Sequence, residues 1–403
     1  MKFSPTRQPG IVEFTLLIAA LTSILALGID AILPAMPGIS AEFSLSDPNA
    51  IQLIVTYYVL GMGAGQIVFG PASDSYGRKP VIYWGMGLFL LGSIICAMSH
   101  DFDTLLIGRL VQGVGVAAPR AVTMSMVRDL YAGREMAKVM SVASAVFILV
   151  PAIAPTLGVA ILSVGSWRSI FVFILIVGSV VVLWLTLRQP ETLPTHKRRA
   201  FRLGVILSGI ADVLRRRESI ATILAAGLST APLFGYLGAS QQIFSVTFNQ
   251  PDNFPYLFGA LALSIGAASL VNARLVMRYG MRFLSRSAAG VSAILAIVYL
   301  TAYMLLPIQN MLVPFMIWGM GTFFCLGIMF GNLFSIGMEP LGHLAGVGAA
   351  VLGSLTTVIS AALGSPIGQA FDGSALPIIL SFAVLHGLTY LIIRYMLHAP
   401  DAP

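Results

Sequence analysis

Residues 50–98 read AIQLIVTYYVLGMGAGQIVFGPASDSYGRKPVIYWGMGLFLLGSIICAM: two apolar runs, 50–72 and 80–98, joined by a short polar turn that holds Asp74, Arg78 and Lys79. Each run is close to the roughly 20 residues an α-helix needs to cross the hydrocarbon of a bilayer. Neither alternates polar and apolar residues as a porin-type strand does; both are apolar on every side. The pattern repeats. Further runs fall at 11–35, 104–127, 137–162 and 168–187, and then at 219–246, 255–276, 283–306, 310–336, 343–366 and 374–397. Of all 403 residues, 57% are hydrophobic and 10% charged, against roughly 25% charged in a soluble globular chain. That composition excludes a cytosolic enzyme, a secreted domain and a disordered chain.

The twelve runs form two sets of six. This predicts an all-α membrane protein, with residues 1–187 as an N-terminal six-helix bundle and 219–403 as a C-terminal one. The two bundles are expected to be pseudo-symmetric, with transport between them. Residues 188–218 are expected as a basic cytoplasmic central loop with Arg188, Lys197, Arg198, Arg199, Arg202, Arg215, Arg216 and Arg217. With both termini in the cytoplasm, the inner segments hold these eight together with Lys2, Arg7, Arg78, Lys79, Arg128, Arg134, Lys138, Arg274, Arg278, Arg282, Arg286 and Arg394. That is 20 of the 23 basic residues; Arg168 alone falls outside, and Arg109 and Arg120 fall within a span. The net charge of +7 is therefore a signal of topology and anionic lipid rather than of nucleic acid. Cys96 and Cys325 lie far apart in apolar runs and suggest neither a disulfide nor a metal site. The run at 11–33 is too long for the apolar part of a signal peptide, so it is expected as the first span.

Asp30 is the one carboxylate clearly at membrane depth in this topology; Glu13 sits near the inner edge. A charge in hydrocarbon costs about 2.5–3.5 kcal/mol on insertion scales, so such a group is expected to face a cavity or a partner. Burial raises a carboxyl pKa and a nearby arginine lowers it, and a group balanced between the two can load and release a proton. Pro34 also allows Asp30 simply to reach outer water at a helix end. Arg109 lies at matching depth in the fourth run and needs partners for its five donors, with Asp30 or backbone carbonyls available and Gln112 on the same face; the alternative is a structural arginine snorkelling outward. Arg120 is eleven residues further on and shares the face of Arg109. It either lines a positive cavity suited to a carboxylated ligand or reaches the inner interface. Tyr57, Tyr58, Phe147, Tyr236, Gln241, Gln242, Phe324 and Asn332 are candidate cavity linings, the amides foremost because unpaired polar groups in lipid are costly. Pro151 and Pro155 should bend the fifth span. His343 and His386 are expected as loop or packing residues.

The turn Gly70-Pro71-Ala72-Ser73-Asp74-Ser75-Tyr76-Gly77-Arg78-Lys79 resembles the loop signature of the major facilitator superfamily. Arg109-Leu110-Val111-Gln112-Gly113 resembles the fourth-helix motif of its twelve-span drug:proton antiporters, and Ala154-Pro155-Thr156-Leu157-Gly158 their fifth-helix antiporter motif. Trp167-Arg168-Ser169-Ile170-Phe171 and Pro190-Glu191-Thr192-Leu193 are also family-like. Ile29-Asp30 and Leu33-Pro34-Ala35-Met36-Pro37 are similar to the first span of the Bcr/CflA drug exporters. The resemblance covers nearly the whole chain, most strongly residues 20–193. It implies a latch of Gly70, Asp74, Gly77, Arg78 and Lys79, with Arg128 and Asp129, that favours the outward-facing state. It also implies a helix-bend motif of Pro151, Pro155 and Gly158. The chain departs from the pattern at Val159, at Met277 in the place equivalent to Asp74, at Ser240-Gln241-Gln242 in span seven, and at Arg120.

The expected function is proton-coupled efflux of small organic molecules, of amphenicol or bicyclomycin type, by alternating access in a bacterial inner membrane. Asp30 and Arg109 would couple protons. The cavity would be lined by Asp30, Tyr57, Gln112, Arg120, Phe147, Tyr236, Gln241, Gln242 and Asn332. The alternatives are proton-linked transport of one metabolite, such as an amino acid, peptide or organic acid, and a membrane scaffold without transport. The chain carries no Ser/His/Asp set, metal-ligand spacing or phosphate loop that would make it an enzyme or an ATP-driven pump. The expected partners are substrate, protons and lipid. No cofactor, metal or nucleic acid is expected, and the protein is expected to act as a monomer.

Overall fold

Where apolar runs meet Gly, Pro and capping residues, the helices begin and end. The computed structural model describes residues 8–198, 201, 203–306 and 311–397. Lys2, Arg7, Arg199 and Arg202, placed inside by the sequence, lie outside these residues, and so does the side chain of His343. Every regular element described is helical: α1 (Ile11–Asp30), α2 (Met36–Glu42), α3 (Leu53–Tyr76), α4 (Arg78–Ala97), α5 (Phe102–Leu130), α6 (Gly133–Leu162), α7 (Trp167–Arg188), α8 (Leu203–Arg215), α9 (Arg217–Gln242), α10 (Phe254–Tyr279), α11 (Met281–Leu305), α12 (Leu312–Met338), α13 (Ala345–Gln369) and α14 (Leu376–Met396), with short 3-10 turns and one π turn between them. Counting α1 with α2 as one, twelve stretches among the described residues are long and apolar enough to cross a membrane, as the twelve runs predict.

Local chemistry sets the ends. Helix α1 stops at Asp30, and the chain turns through Leu33–Ala35, where Pro34 has no N–H to continue the ladder. Asp101 caps α5 by accepting the Thr104 backbone N–H at 2.7 Å and its hydroxyl at 2.7 Å. These bonds hold the Asp101 carboxyl below its ordinary pKa. Pro71, Pro119, Pro151, Pro155, Pro232 and Pro366 all sit inside helices that continue past them; neighbouring helices in a membrane bundle make that tolerable. The central stretch expected as a loop instead contains α8. Its apolar positions repeat at helical spacing, and Val213 is fully buried.

The chain divides into two compact units. Unit 1 comprises Met1–Phe43, Tyr57–Ser208 and Ala349–Ser354. Within it α5 lies against both α3 and α4. A Cβ at Gly113 would strike the Tyr58 carbonyl of α3, and one at Gly115 would strike the Phe89 backbone of α4, so both approaches require glycine. Unit 2 comprises Ser44–Thr56, Gly209–Gly348 and Leu355–Pro403. Its core is aromatic: Phe244, Phe254, Phe315 and Phe382 are each 2% exposed or less. His386 of α14 ties three helices together. Its Nε2 lies 2.9 Å from the Ser229 carbonyl of α9, which can only accept, so this nitrogen carries the proton. In the neutral ring Nδ1 then accepts from the Ser292 hydroxyl of α11 at 2.6 Å.

Candidate functional site

Unit 1 holds a buried polar chain across four helices. Arg109 of α5 is 0% exposed. Its guanidinium lies 4.3 Å from the Tyr58 ring centroid and 5.9 Å from that of Phe171, a cation–π arrangement in a desolvated site. Arg109 Nη1 donates to Gln112 Oε1 at 2.8 Å, and Gln112 Nε2 donates to Ser93 Oγ of α4 at 2.7 Å. The Tyr58 hydroxyl donates to the Leu25 carbonyl of α1 at 3.2 Å. Tyr58 thus spans from α1 to the Arg109 cation. The sequence marks it only as a lining aromatic, and Ser93 carries no signal at all.

Asp30 closes α1 with 4% of its surface exposed, and no described residue donates a hydrogen bond to it. The Tyr58 hydroxyl lies against Gly28, two residues before Asp30, where an added Cβ would strike it. Behind Asp30, Gly158 of α6 faces the Ala31 carbonyl so closely that an added Cβ would collide with it. The fifth-span motif therefore packs on the residue that follows the acid. Tyr57 and Phe147 are half-buried, on α3 and α6. Arg120 shares the helical register of Arg109 but is exposed, while Arg109 is enclosed. The structure does not bring the two together.

The second site lies where α3, α5 and α7 end and α4 begins. Arg78 pairs with Asp74 and, through Nε at 3.0 Å, with Asp129; its Nη1 also donates to Ser73 Oγ at 2.8 Å. Thr192 donates to the same Asp129 oxygen at 3.0 Å. Lys79 Nζ bonds no acid and instead reaches the Thr186 and Gln189 carbonyls at 3.1 and 2.5 Å, at the end of α7. Arg128 stays outside the cluster and donates to Ser125 at 3.1 Å. The centre of the arrangement is Glu191. Its carboxylate accepts the backbone N–H groups of Arg78 at 2.9 Å, Lys79 at 3.0 Å and Leu193 at 2.9 Å. The first two are orphan donors at the start of α4, so Glu191 caps that helix from 113 residues away. Gly77 has φ +104° and ψ 157°, a region essentially confined to glycine. A Cβ there would also sit 2.7 Å from Glu191 Oε2. Gly70 is half-buried near the end of α3, and Ser73 donates to its carbonyl at 2.8 Å.

The remaining sequence-predicted residues lie in unit 2. Tyr236 is 1% exposed, stacked at 5.9 Å on Phe258 and edge-on at 5.0 Å to Phe323. Gln241 donates to Ser245 at 2.8 Å. Gln242 accepts from Gln52 Nε2 at 2.7 Å and donates to Asn49 Oδ1 at 3.1 Å and to the Pro48 carbonyl at 3.0 Å. Asn49 in turn donates to the Gln369 and Phe371 carbonyls at 2.9 and 2.8 Å. Asn332 of α12 exchanges two amide hydrogen bonds with Asn272 of α10, at 3.0 and 2.9 Å. Three of these amides, Asn49, Gln52 and Asn272, are not among those the sequence singles out. Among the described residues no cluster of His, Cys, Asp and Glu could hold a metal ion.

Comparison with known proteins gives this arrangement a family. The chain is 30% identical over 321 residues to YdgK of Bacillus subtilis, an uncharacterized MFS-type transporter, covering 79% of each. It is 29% identical over 286 residues to a bicyclomycin resistance protein homolog of Haemophilus influenzae, covering 71% of this chain and 72% of the relative. In fold it resembles the partially occluded, inward-open xylose transporter XylE of E. coli, with a TM-score of 0.73 at 14% identity over 98% of this chain and 99% of that one. The model of the Major Facilitator Superfamily matches residues 17–392, and with twelve apolar helices and the Gly77–Arg78 turn locked as described, the chain belongs to that superfamily of membrane transporters.

Proposed function

We propose that the protein exports small organic molecules in exchange for protons, by alternating access. The observation that carries this is Asp30, the one acid among the described residues in the most buried class, at 4% exposed. A charge there is costly, so its carboxyl is suited to gain a proton when it faces one side and lose it at the other. Tyr58 links α1, the helix that ends at Asp30, to the Arg109 cation, and Gly158 packs on the carbonyl that follows the acid. The name of the Haemophilus relative, bicyclomycin resistance, supports export of a foreign organic compound. The basic residues support a bacterial inner membrane with both termini in the cytoplasm. A monomer suffices, since each element of the site lies within one chain.

The energy suffices. One proton gains about 2.3 kcal/mol per 100 mV of membrane potential and about 1.4 kcal/mol per pH unit. Together these sustain a gradient of a neutral substrate on the order of 500-fold. The test is reconstitution in liposomes with a trapped pH dye and an imposed proton gradient. Adding an amphenicol-type drug should trigger proton flux in the native protein and none in Asp30→Asn. Drug movement without proton flux, unchanged in the variant, would leave a facilitator and refute coupling.

A further inference from the structure

Arg120 is exposed, yet it sits deep in a membrane-spanning helix. Helix α5 has 29 residues, about 43 Å of length, against about 30 Å of hydrocarbon. Arg120 is four residues, about 6 Å, from the middle residue Val116. In a centred span its backbone is therefore about 9 Å inside the nearer hydrocarbon edge. Helical side chains tilt toward the N-terminus, which here means back toward the middle of the membrane and away from the Leu130 end. The next turns toward that end are occupied by Met124 and by Arg128, which is exposed and bonded to Ser125. Snorkelling to the nearer interface is thus opposed by both helix geometry and position.

Six acids are held by other partners, and Asp30, which is not, forms no ion pair with Arg120. Glu13 pairs with Arg188, Glu42 with Arg168, Asp74 and Asp129 with Arg78, and Glu339 with Arg282. Glu191 is held by three backbone N–H groups. No described residue forms a hydrogen bond or ion pair with Arg120. An exposed, unpaired guanidinium at this depth calls for an anion, and a carboxylate matches its fork bidentately. We infer that Arg120 is a substrate-binding residue and that it gives the transporter a preference for molecules carrying a carboxylate. This rests on the transport reading above and adds organic acids to it as the preferred substrates. An electrical consequence follows. Exchange of one inward proton for one outward monoanion moves two charges per cycle, whereas exchange for a neutral molecule moves one.

The test uses the purified full chain and matched ligands that differ only in charge: indole-3-acetate with indole-3-acetamide, and N-acetylphenylalanine with its amide. Equilibrium binding at neutral pH should favour each acid at least about tenfold, the usual worth of a hydrogen bond to a charged group. Arg120→Ala should erase that preference while leaving amide binding unchanged, which certifies the fold; Arg120→Lys should retain part of it. In liposomes clamped at set potentials, the acid should drive transport with about twice the voltage dependence of a neutral drug. Equal binding of acid and amide, no binding of either acid, or a preference that survives Arg120→Ala would each overturn the assignment. Proton flux with a neutral drug, lost in Asp30→Asn, would then keep the export reading standing. An acid preference lost in Arg120→Ala, with no proton movement for any ligand, would instead keep Arg120 and sink the proton coupling.

Discussion

Replacing Gly77 by alanine should cost more than the same change at Gly280, although the backbone is alike at both. Gly77 has φ +104° and ψ 157°, and Gly280 has φ +76° and ψ 158°. Each opens a helix, α4 or α11, from a conformation that costs a non-glycine residue about 1–3 kcal/mol. A Cβ at Gly280 meets nothing within 4 Å, whereas one at Gly77 meets Glu191 Oε2 at 2.7 Å and Arg198 at 2.9 Å. Glu191 must then withdraw from the Arg78 and Lys79 N–H groups. Two charge-assisted hydrogen bonds at about 1.5 kcal/mol each add roughly 3 kcal/mol. Gly77→Ala should therefore lose about 3 kcal/mol more than Gly280→Ala. The assay is denaturation of the detergent-solubilised protein, followed by circular dichroism, for both variants and for Glu191→Gln alone and combined with Gly77→Ala. Because both changes break one contact, the double variant should cost clearly less than the sum. Equal losses at Gly77 and Gly280, or strict additivity with Glu191→Gln, would refute the claim that Glu191 caps α4.

Four further outcomes are expected. Asn332→Leu alone should destabilise by about 1–3 kcal/mol by stranding the Asn272 amide, while the double change Asn332→Leu with Asn272→Leu should be close to neutral; a denaturation cycle checks this. Gln112→Leu should cost about 2–4 kcal/mol, since it strips partners from both buried Arg109 and Ser93, and should impair transport in the same liposome assay. Gly158→Ala should leave protein yield near normal but depress transport, because the new methyl displaces the Ala31 backbone beside Asp30; unchanged transport would detach the fifth-span motif from the acid. Asp101 has its carboxyl held below the ordinary value by the Thr104 N–H and hydroxyl. A lowered folded pKa gives stability that is present above the unfolded value, near about 3.9, and lost as pH falls through the folded one. Acid titration of stability should therefore be shallower in Asp101→Asn than in the native chain.

The spans were legible because twenty apolar residues in a row have one reading in water and lipid alike. Asp30 and Arg109 were legible for the converse reason, that charge inside such a run is costly. Helix α8 was not, because basic residues flank it and composition averages over its apolar stripe. The role of Glu191 was hidden too. The sequence flags its motif, but the donors it caps are 113 residues away, and no local pattern encodes a pairing of that separation. The contrast between Arg109 and Arg120 shows the limit of a helical wheel. The two share a face, yet Arg109, beside the Gly113–Tyr58 approach, is enclosed and Arg120 is exposed. Gln242 is similar: its amide character was visible, and its partners Gln52 and Asn49 were not.

The two fastenings differ in what can loosen them. The knot at Gln242 is made wholly of neutral amides and carbonyls, whereas that around Arg78 rests on full charges. Dissolved ions screen the second and have little hold on the first. The amide knot of unit 2 should thus be blind to the salinity and acidity of its surroundings, and the charged cluster of unit 1 tuned by the ionic strength it bathes in. Local opening measured across a salt series should change at the charged cluster and not at the amide knot.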